Sequence, residues 1–494
     1  MKPSVPPRPT ATMALADERA TIRLAEDIAA AARAGDTILL EGGLGAGKTS
    51  LARAFIRAIA GEPRLEVPSP TFALRIDYPL ARLAVVHADL YRLGAPEEAE
   101  ETGLLDLPAE ATLIAEWPEK GALSAPDALT VRLEVAGEGR QASLAGGGDW
   151  PERLERSFHI RRFLDAGGRA DAHRIPILGD ASGRSYERIR DGDEAILMNA
   201  PARAEGPPVW KGRSYDAVAH RALDLSAFLK VGGLLAARGV KVPGVLSQDL
   251  PAGLLLVEDF GSEPIVSAER EPIMARYEAA ADLLVKLHRP HKSDARAAIL
   301  LPAYDTEALL IEASLFADHF AGPETGAPLT AAERTDFLKA WRELLAGIEG
   351  GEKAIVLRDY HSPNIIWMAG EKGTDRVGVI DFQDALIGHP AYDLASLCQD
   401  ARADISEEQE EALLARYIAA RKRGRGAFDE KAFRAAYTIL AAQRASKVLG
   451  AFSRMSREGK PAYRAHMPRL LARLKRDLNK PVLSPLRRCY QRLL

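Results

Sequence analysis

The apolar positions fall into two successive regimes. Through residues 17–34 they recur at alanine-rich helical spacing, and Gly35-Asp36 stops the run. Thr37-Ile38-Leu39-Leu40-Glu41 is continuous and short, as in a buried strand. A glycine-rich stretch follows. Residues 48–60 then return to helical spacing through Leu51, Phe55, Ile56 and Ile59, ending at Gly61. Short apolar runs at 83–87 and 111–116 predict further strands, and 129–135 with 140–144 predict a closing hairpin. Leu144-Ala-Gly-Gly-Gly-Asp149 reads as a linker, so the first domain ends near 147. The second regime opens near 150 with a short helix at 151–164. Strands at 185–190, 195–199 and 253–258 come next, with a helix at 214–237 between the last two. Helices dominate from 272 onward, interrupted by loops and strands at 354–390. This order predicts an α/β domain over 14–147, then an α+β bilobal domain over 158–494 with its smaller, strand-rich lobe first. No internal repeat is visible.

Composition narrows the class only a little. At about 100–200 residues per domain, 494 residues suggest two to four. The net charge of -3 supplies no general attraction to nucleic acid. Two cysteines, Cys398 and Cys489, exclude a disulfide framework and fit a reducing cytoplasm. Residues 3–9 are proline-rich and expected to be a disordered leader, with Met13 as an alternative start. No apolar run approaches the roughly 20 residues of a membrane span.

The glycine stretch carries the first chemistry. Gly42-Gly43-Leu44-Gly45-Ala46-Gly47-Lys48-Thr49, followed by Ser50, sits between a strand and a helix, the context a P-loop requires. Glycines let successive N–H groups point at phosphate oxygens, and the helix N-terminus adds its positive end. Lys48 would reach the β- and γ-phosphates of ATP, and Thr49 would ligate Mg²⁺. Asp89 and Glu116 close strand-like runs, where carboxylates of parallel sheets face the nucleotide. One of them would hold the metal, and the other would polarise the attacking water. Thr71, in Pro68-Ser-Pro-Thr-Phe72, is either a switch-loop residue or part of a proline turn.

The second half holds a different phosphoryl-transfer pattern. Asp359 and Asn364 form an Asp-x-x-x-x-Asn core, and Asp381 ends the apolar run Val377-Gly-Val-Ile. Asp359 fits the base that orients and deprotonates an acceptor hydroxyl, with Asn364 and Asp381 as Mg²⁺ ligands. Tyr360 and His361 flank the base and are either acceptor contacts or loop packing. Ser182, Gly183 and Arg184 lie in Gly179-Asp-Ala-Ser-Gly-Arg-Ser-Tyr186, a candidate loop over the phosphates. Glu258 ends Leu254-Leu-Leu-Val-Glu, a strand running into a hinge that would meet adenine. His288 reads as a structural helix residue. The basic C-terminal positions Arg469, Arg473, Lys475, Arg476, Arg487 and Arg488 are either a nucleic-acid contact or solvated helix faces.

Four segments of the first half resemble the TsaE family in order: the P-loop, Val67-Pro-Ser-Pro-Thr-Phe, His87-Ala-Asp-Leu-Tyr-Arg-Leu and Glu116-Trp-Pro-Glu. The resemblance implies a P-loop ATPase that serves a TsaB/TsaD-like complex in placing threonylcarbamoyl on A37 of tRNA. The second half resembles the aminoglycoside/choline-type phosphotransferases, and within them AmgK-type anomeric kinases of N-acetylmuramate and N-acetylglucosamine. That likeness rests on Gly179-Asp-Ala-Ser, Leu197-Met-Asn-Ala-Pro, Leu256-Val-Glu-Asp-Phe-Gly, Arg358-Asp-Tyr-His-Ser-Pro-Asn, Ile380-Asp-Phe-Gln-Asp-Ala, Tyr392-Asp-Leu-Ala-Ser-Leu and Gln443-Arg444. It implies a protein-kinase-like fold that returns recycled cell-wall sugars as 1-phosphates. Three positions depart from these patterns. Gly43 stands where the first family often has an acid, Leu357 where a histidine usually precedes Arg-Asp, and Met198 where the small-lobe strand usually offers a lysine to ATP. Arg184 or Lys211 would have to supply that cation. Without it the second half becomes a docking or regulatory module. A third reading keeps the kinase and changes its acceptor, to an aminoglycoside, a choline-like alcohol or another sugar.

Overall fold

A computed structural model describes residues 11–491 apart from 102, 105, 178–183, 327, 425 and 426, and apart from the side chains of 100 and 101. The chain divides into two compact units. Among the described residues, the first runs to Asn199 and adds Leu246–Asp249 and Leu254–Glu258; the second holds the rest.

The first unit contains a seven-stranded sheet. Its strands are β1 (Ala11–Leu15), β2 (Thr37–Glu41), β3 (Arg75–Pro79), β4 (Ala84–Asp89), β5 (Thr112–Glu116), β6 (Leu129–Ala136) and β7 (Gly139–Gly146), in the order β1-β7-β6-β2-β5-β4-β3. The central strands β6, β2, β5 and β4 are parallel, and the outer pairs are antiparallel. Parallel strands bury both faces, hence the unbroken apolar run of β2. Ile38 and Leu40 enter one core with the helices Glu18–Ala31 and Lys48–Ala60, while Leu39 enters a second core on the opposite face.

The predicted linker is short. β7 continues to Gly146, Leu144 is core, and the helix Trp150–Ala166 begins four residues after the strand ends. Trp150 and Leu154 of that helix complete the first hydrophobic core. The same helix leads into a five-stranded sheet of β8 (His173–Ile177), β9 (Ser185–Arg190), β10 (Glu194–Asn199), β13 (Val245–Asp249) and β14 (Leu254–Glu258). Between them, β11 (Pro208–Trp210) and β12 (Arg213–Ser214) form a separate ribbon in the second unit.

A buried charge cluster joins the two sheets of the first unit. Asp27, on the first helix, accepts from Arg161 of the Trp150–Ala166 helix at 3.0 Å and from Arg174 of β8 at 2.7 Å. Arg174 also binds Glu187 of β9 at 2.7 and 2.8 Å. Glu26 meets Arg161 at 3.1 Å and His173 Nδ1 at 2.6 Å. Burial is the largest influence on Asp27 and pushes its pKa up, against both arginines.

The second unit is mainly helical, with β15 (Ala354–Val356) paired to β18 (Leu386–Gly388) and β16 (Ile365–Trp367) paired to β17 (Val377–Val379). The helix expected over 214–237 is broken into Tyr215–Val218 and Ser226–Ala237. His220 takes a left-handed φ of 52°, and the Ala222 N–H leaves the helical ladder to donate to Asp384 at 2.7 Å. Asp224 then accepts from the Ser226 N–H at 2.8 Å, restarting the helix.

Candidate active sites

The first site forms where β2, β4 and β5 end together. Parallel pairing puts Asp89 opposite Glu116 and runs Leu40 beside Glu116, so the loop after β2 faces both acids. The Thr49 hydroxyl donates to Glu116 at 2.8 Å, and the Thr71 hydroxyl donates to Asp89 at 2.6 Å. All of the proposed P-loop partners thus converge. A cavity of about 360 Å³ is lined by Leu44–Ser50 together with Thr71, Asp89 and Glu116. Gly42 and Gly47 have φ of 140° and 105°, and a Cβ on Gly42 would stand 2.2 Å from the Leu133 carbonyl oxygen, so the turn excludes side chains there. Gly43 has open space around it, so the family's usual acid would fit without clash.

Lys48 folds back on its own loop, donating to the Gly42 and Gly43 carbonyls at 2.6 and 2.9 Å, and lies 3.6 Å from the centre of the Trp117 ring. Burial pushes its pKa down, against Glu116, Glu119 and Asp89. Trp117 itself sits at φ 59°, uncommon for a large residue. Two neighbours, His87 buried and Ser69 exposed, went unassigned in the sequence. His87 Nε2 lies 3.0 Å from Glu116 and holds the face of the carboxylate turned away from Thr49. Ser69 lies 2.7 Å from the Thr71 hydroxyl. His87 shares its strand with Asp89 two positions on, the signal that would have flagged it.

The second site is built on the hairpin β16–β17, which sets Ile365 beside Val379 and draws the flanking loops together. Asn364 donates to the Asp359 carbonyl at 2.9 Å, and its own carbonyl accepts from the Ile380 N–H at 3.0 Å. Asp381 accepts from Gln383 at 2.8 Å. Arg358 and Asp381 both adopt left-handed φ, 72° and 55°, the strain expected where backbone is bent to aim a side chain. Asp393, fully buried, clamps the loop by accepting from the Leu357 and Arg358 N–H groups at 2.7 and 2.9 Å. The motif around Asp393 is visible in the sequence, but its role is not.

The surroundings of Asp359 are cationic. Lys447 Nζ lies 4.0 Å from its carboxylate and 3.1 Å from Glu312, which also pairs with Arg358. Burial opposes ionisation of Asp359. Lys447, His361, Arg444 and Arg358 outweigh it and hold the carboxyl well below its usual range. Burial pushes His361 down to about 4, so it is neutral near pH 7.

The Tyr360 ring is buried and its hydroxyl donates to the Ala280 carbonyl at 3.0 Å, a packing role. Met198 is buried within β10, opposite Leu255 and Tyr186. Lys211 is paired with Glu307 at 3.0 Å. Arg184 stands directly before β9, Glu258 ends β14, and Ser182 and Gly183, with Gly179-Asp-Ala-Ser, lie outside the described residues. His288 is buried against the Tyr417 hydroxyl at 2.9 Å, as a structural residue. Arg469, Arg473, Arg476 and Arg487 bind acids or carbonyls of their own fold, while Lys475 and Arg488 are exposed.

Comparison with known proteins gives a family for each half. A family model described as "Threonylcarbamoyl adenosine biosynthesis protein TsaE" matches residues 15–142, and one described as "Phosphotransferase enzyme family" matches residues 173–430. The chain belongs to both families. Its TsaE part is 37% identical over 129 residues to the tRNA threonylcarbamoyladenosine biosynthesis protein TsaE of Rickettsia felis, covering 26% of this chain and 74% of that one. Its phosphotransferase part is 34% identical over 359 residues to the N-acetylmuramate/N-acetylglucosamine kinase of Caulobacter vibrioides, covering 68% of this chain and 96% of the relative. The kinase of the same description from Pseudomonas aeruginosa is 32% identical over 308 residues, covering 60% and 81%. One polypeptide therefore joins a TsaE ATPase to a phosphotransferase, and both use ATP. Among the described residues, no helix is long and apolar enough to cross a membrane.

Proposed function

We propose that the TsaE part, residues 14–147, hydrolyses ATP for a TsaB/TsaD-like complex that modifies tRNA. We further propose that residues 158–494 phosphorylate the anomeric hydroxyl of N-acetylmuramate and N-acetylglucosamine. For the first activity the supporting observation is the convergence of Lys48, Thr49, Asp89 and Glu116 on one cavity. The donors there are hard oxygens, as Mg²⁺ prefers: the Thr49 hydroxyl with Asp89 or Glu116. The remaining acid would hold the attacking water, with His87 fixing the Glu116 carboxylate. Leu44, Phe72 and Tyr91 are exposed apolar side chains of these same motifs and form the surface offered to the partner complex.

For the second activity the supporting observation is the Asp359–Asn364–Asp381 arrangement. Asp359, ionised at neutral pH, accepts a hydrogen bond from the acceptor hydroxyl and takes its proton as that oxygen bonds the γ-phosphorus of ATP and the bond to the β,γ-bridging oxygen breaks, releasing ADP. Asn364 and Asp381 offer oxygen donors that suit Mg²⁺, which would neutralise phosphate charge. The cations around Asp359 disfavour a polycationic aminoglycoside and suit a neutral or anionic sugar. Met198 is the one observation favouring a lobe that binds but does not transfer. With two free cysteines, the cytoplasm is the fitting compartment.

A panel of free sugars tests the kinase reading. The intact protein should form the 1-phosphates of both amino sugars. Asp359→Asn should lose about 10²- to 10⁴-fold in rate. Product from neither sugar would leave a docking module beside an active ATPase.

A further inference from the structure

Arg444 lies on the long helix Glu430–Arg457, one turn before Lys447 and on the same face. It is 4% exposed. The other buried cations around Asp359 each have a carboxylate. Arg358 and Lys447 share Glu312, and Arg221 pairs with Asp384 at 3.2 Å. Arg444 does not. Among the described residues its side chain makes no hydrogen bond and no ion pair, and its Nε is sealed from solvent without a partner. Burying a guanidinium without a counter-charge is costly, so such a group is normally matched by an anion. Arg444 also lies close enough to Asp359 and His361 to act on the charge of both, on the loop that carries the base.

We propose that Arg444 is a specificity residue that binds a carboxylate on the acceptor sugar. This rests on the anomeric-kinase reading and goes beyond it. N-acetylmuramate is N-acetylglucosamine with a lactyl ether that ends in a carboxylate, and the rest of the two sugars is the same. A planar guanidinium suits bidentate recognition of that group. On the shared ring, the anomeric hydroxyl faces Asp359 while the lactyl arm reaches Arg444. The neutral sugar uses the same base and leaves Arg444 unengaged.

The test compares the two acceptors in the full-length protein, with wild type, Arg444→Gln and Arg444→Lys. Arg444→Gln should lower kcat/KM for N-acetylmuramate about 10- to 100-fold, mainly through KM, the range for a charged hydrogen bond. N-acetylglucosamine should change less than about 3-fold, and Arg444→Lys should recover part of the loss. The methyl ester of N-acetylmuramate should be insensitive to the substitution. The thermal midpoint of Arg444→Gln should stay close to wild type, because the guanidinium makes no hydrogen bond or ion pair that would be lost. Equal losses on both sugars, no loss on either, or a large fall in the midpoint would overturn the proposal. The first would assign Arg444 to the transferred phosphate, and the last to the scaffold. If wild type phosphorylates neither sugar, the kinase reading itself fails and this assignment with it.

Discussion

Glu116 receives the Thr49 hydroxyl on one oxygen and His87 on the other, so its carboxylate is fixed on both sides before any nucleotide arrives. Preorganisation of this kind is what lets one acid do directed work on water or metal. Glu116→Gln keeps the shape and removes the charge. It is expected to cut ATP hydrolysis by about 10²-fold or more, while sugar phosphorylation by the same protein persists, as measured in parallel steady-state assays. The P-loop and both acids were legible in the sequence because a strand, a glycine loop and a helix occur in fixed order. His87 was visible only as part of a motif. Lys447, 88 residues beyond Asp359, was not legible at all, since nothing local in a 28-residue helix marks which turn will face a distant loop.

The loop carrying Asp359 keeps its shape through Asp393, at the start of the helix Ala391–Cys398. One buried carboxylate satisfies two backbone N–H groups, including that of Arg358 at its left-handed φ. Asp393→Ala leaves both donors orphaned, at about 1–3 kcal/mol each. Denaturant titration should show that loss, and sugar phosphorylation should fall even though residue 393 touches no substrate. Central strands were predicted nearly to the residue because burial on both faces gives an unbroken apolar run. β1, β3, β8 and β13 were missed. All four are edge strands, and their partners fix them more than their composition does. The 214–237 helix was overextended because its break depends on Asp384, over 160 residues away.

Across the first unit, the helix Trp150–Ala166 serves two neighbours. Trp150 and Leu154 fill the core of the TsaE sheet, while Arg161 joins the charge cluster that Arg174 and Glu187 continue into the five-stranded sheet. Arg174→Met removes one side of this cluster, strands Glu187 and leaves Asp27 with Arg161 alone, a loss of about 3–5 kcal/mol. The midpoint of chemical denaturation should fall, and ATP hydrolysis and sugar phosphorylation should fall together on warming. The cluster also predicts a pH dependence. The hydrogen bond to Glu26 raises the His173 pKa, more than burial and Arg161 lower it. Its contribution to stability is therefore complete below the ordinary value of about 6.5 and disappears as pH rises through the higher folded value. Thermal midpoints of wild type should drop between pH 6 and pH 9 by more than those of His173→Gln. The sequence placed a glycine linker at this point and so separated two domains. The glycines are there, but the tryptophan that follows them belongs to the domain before.

The shared helix has a genetic consequence. A missense lesion that unfolds it removes both enzymes at once, so strains carrying it would need two genes for rescue, one for each half. Lesions confined to Glu116 or Asp359 would each be rescued by one. Splitting the gene within the codons for 150–166 would place Asp27 and Arg174 in different products, so the N-terminal product is expected to be less stable alone than within the intact chain.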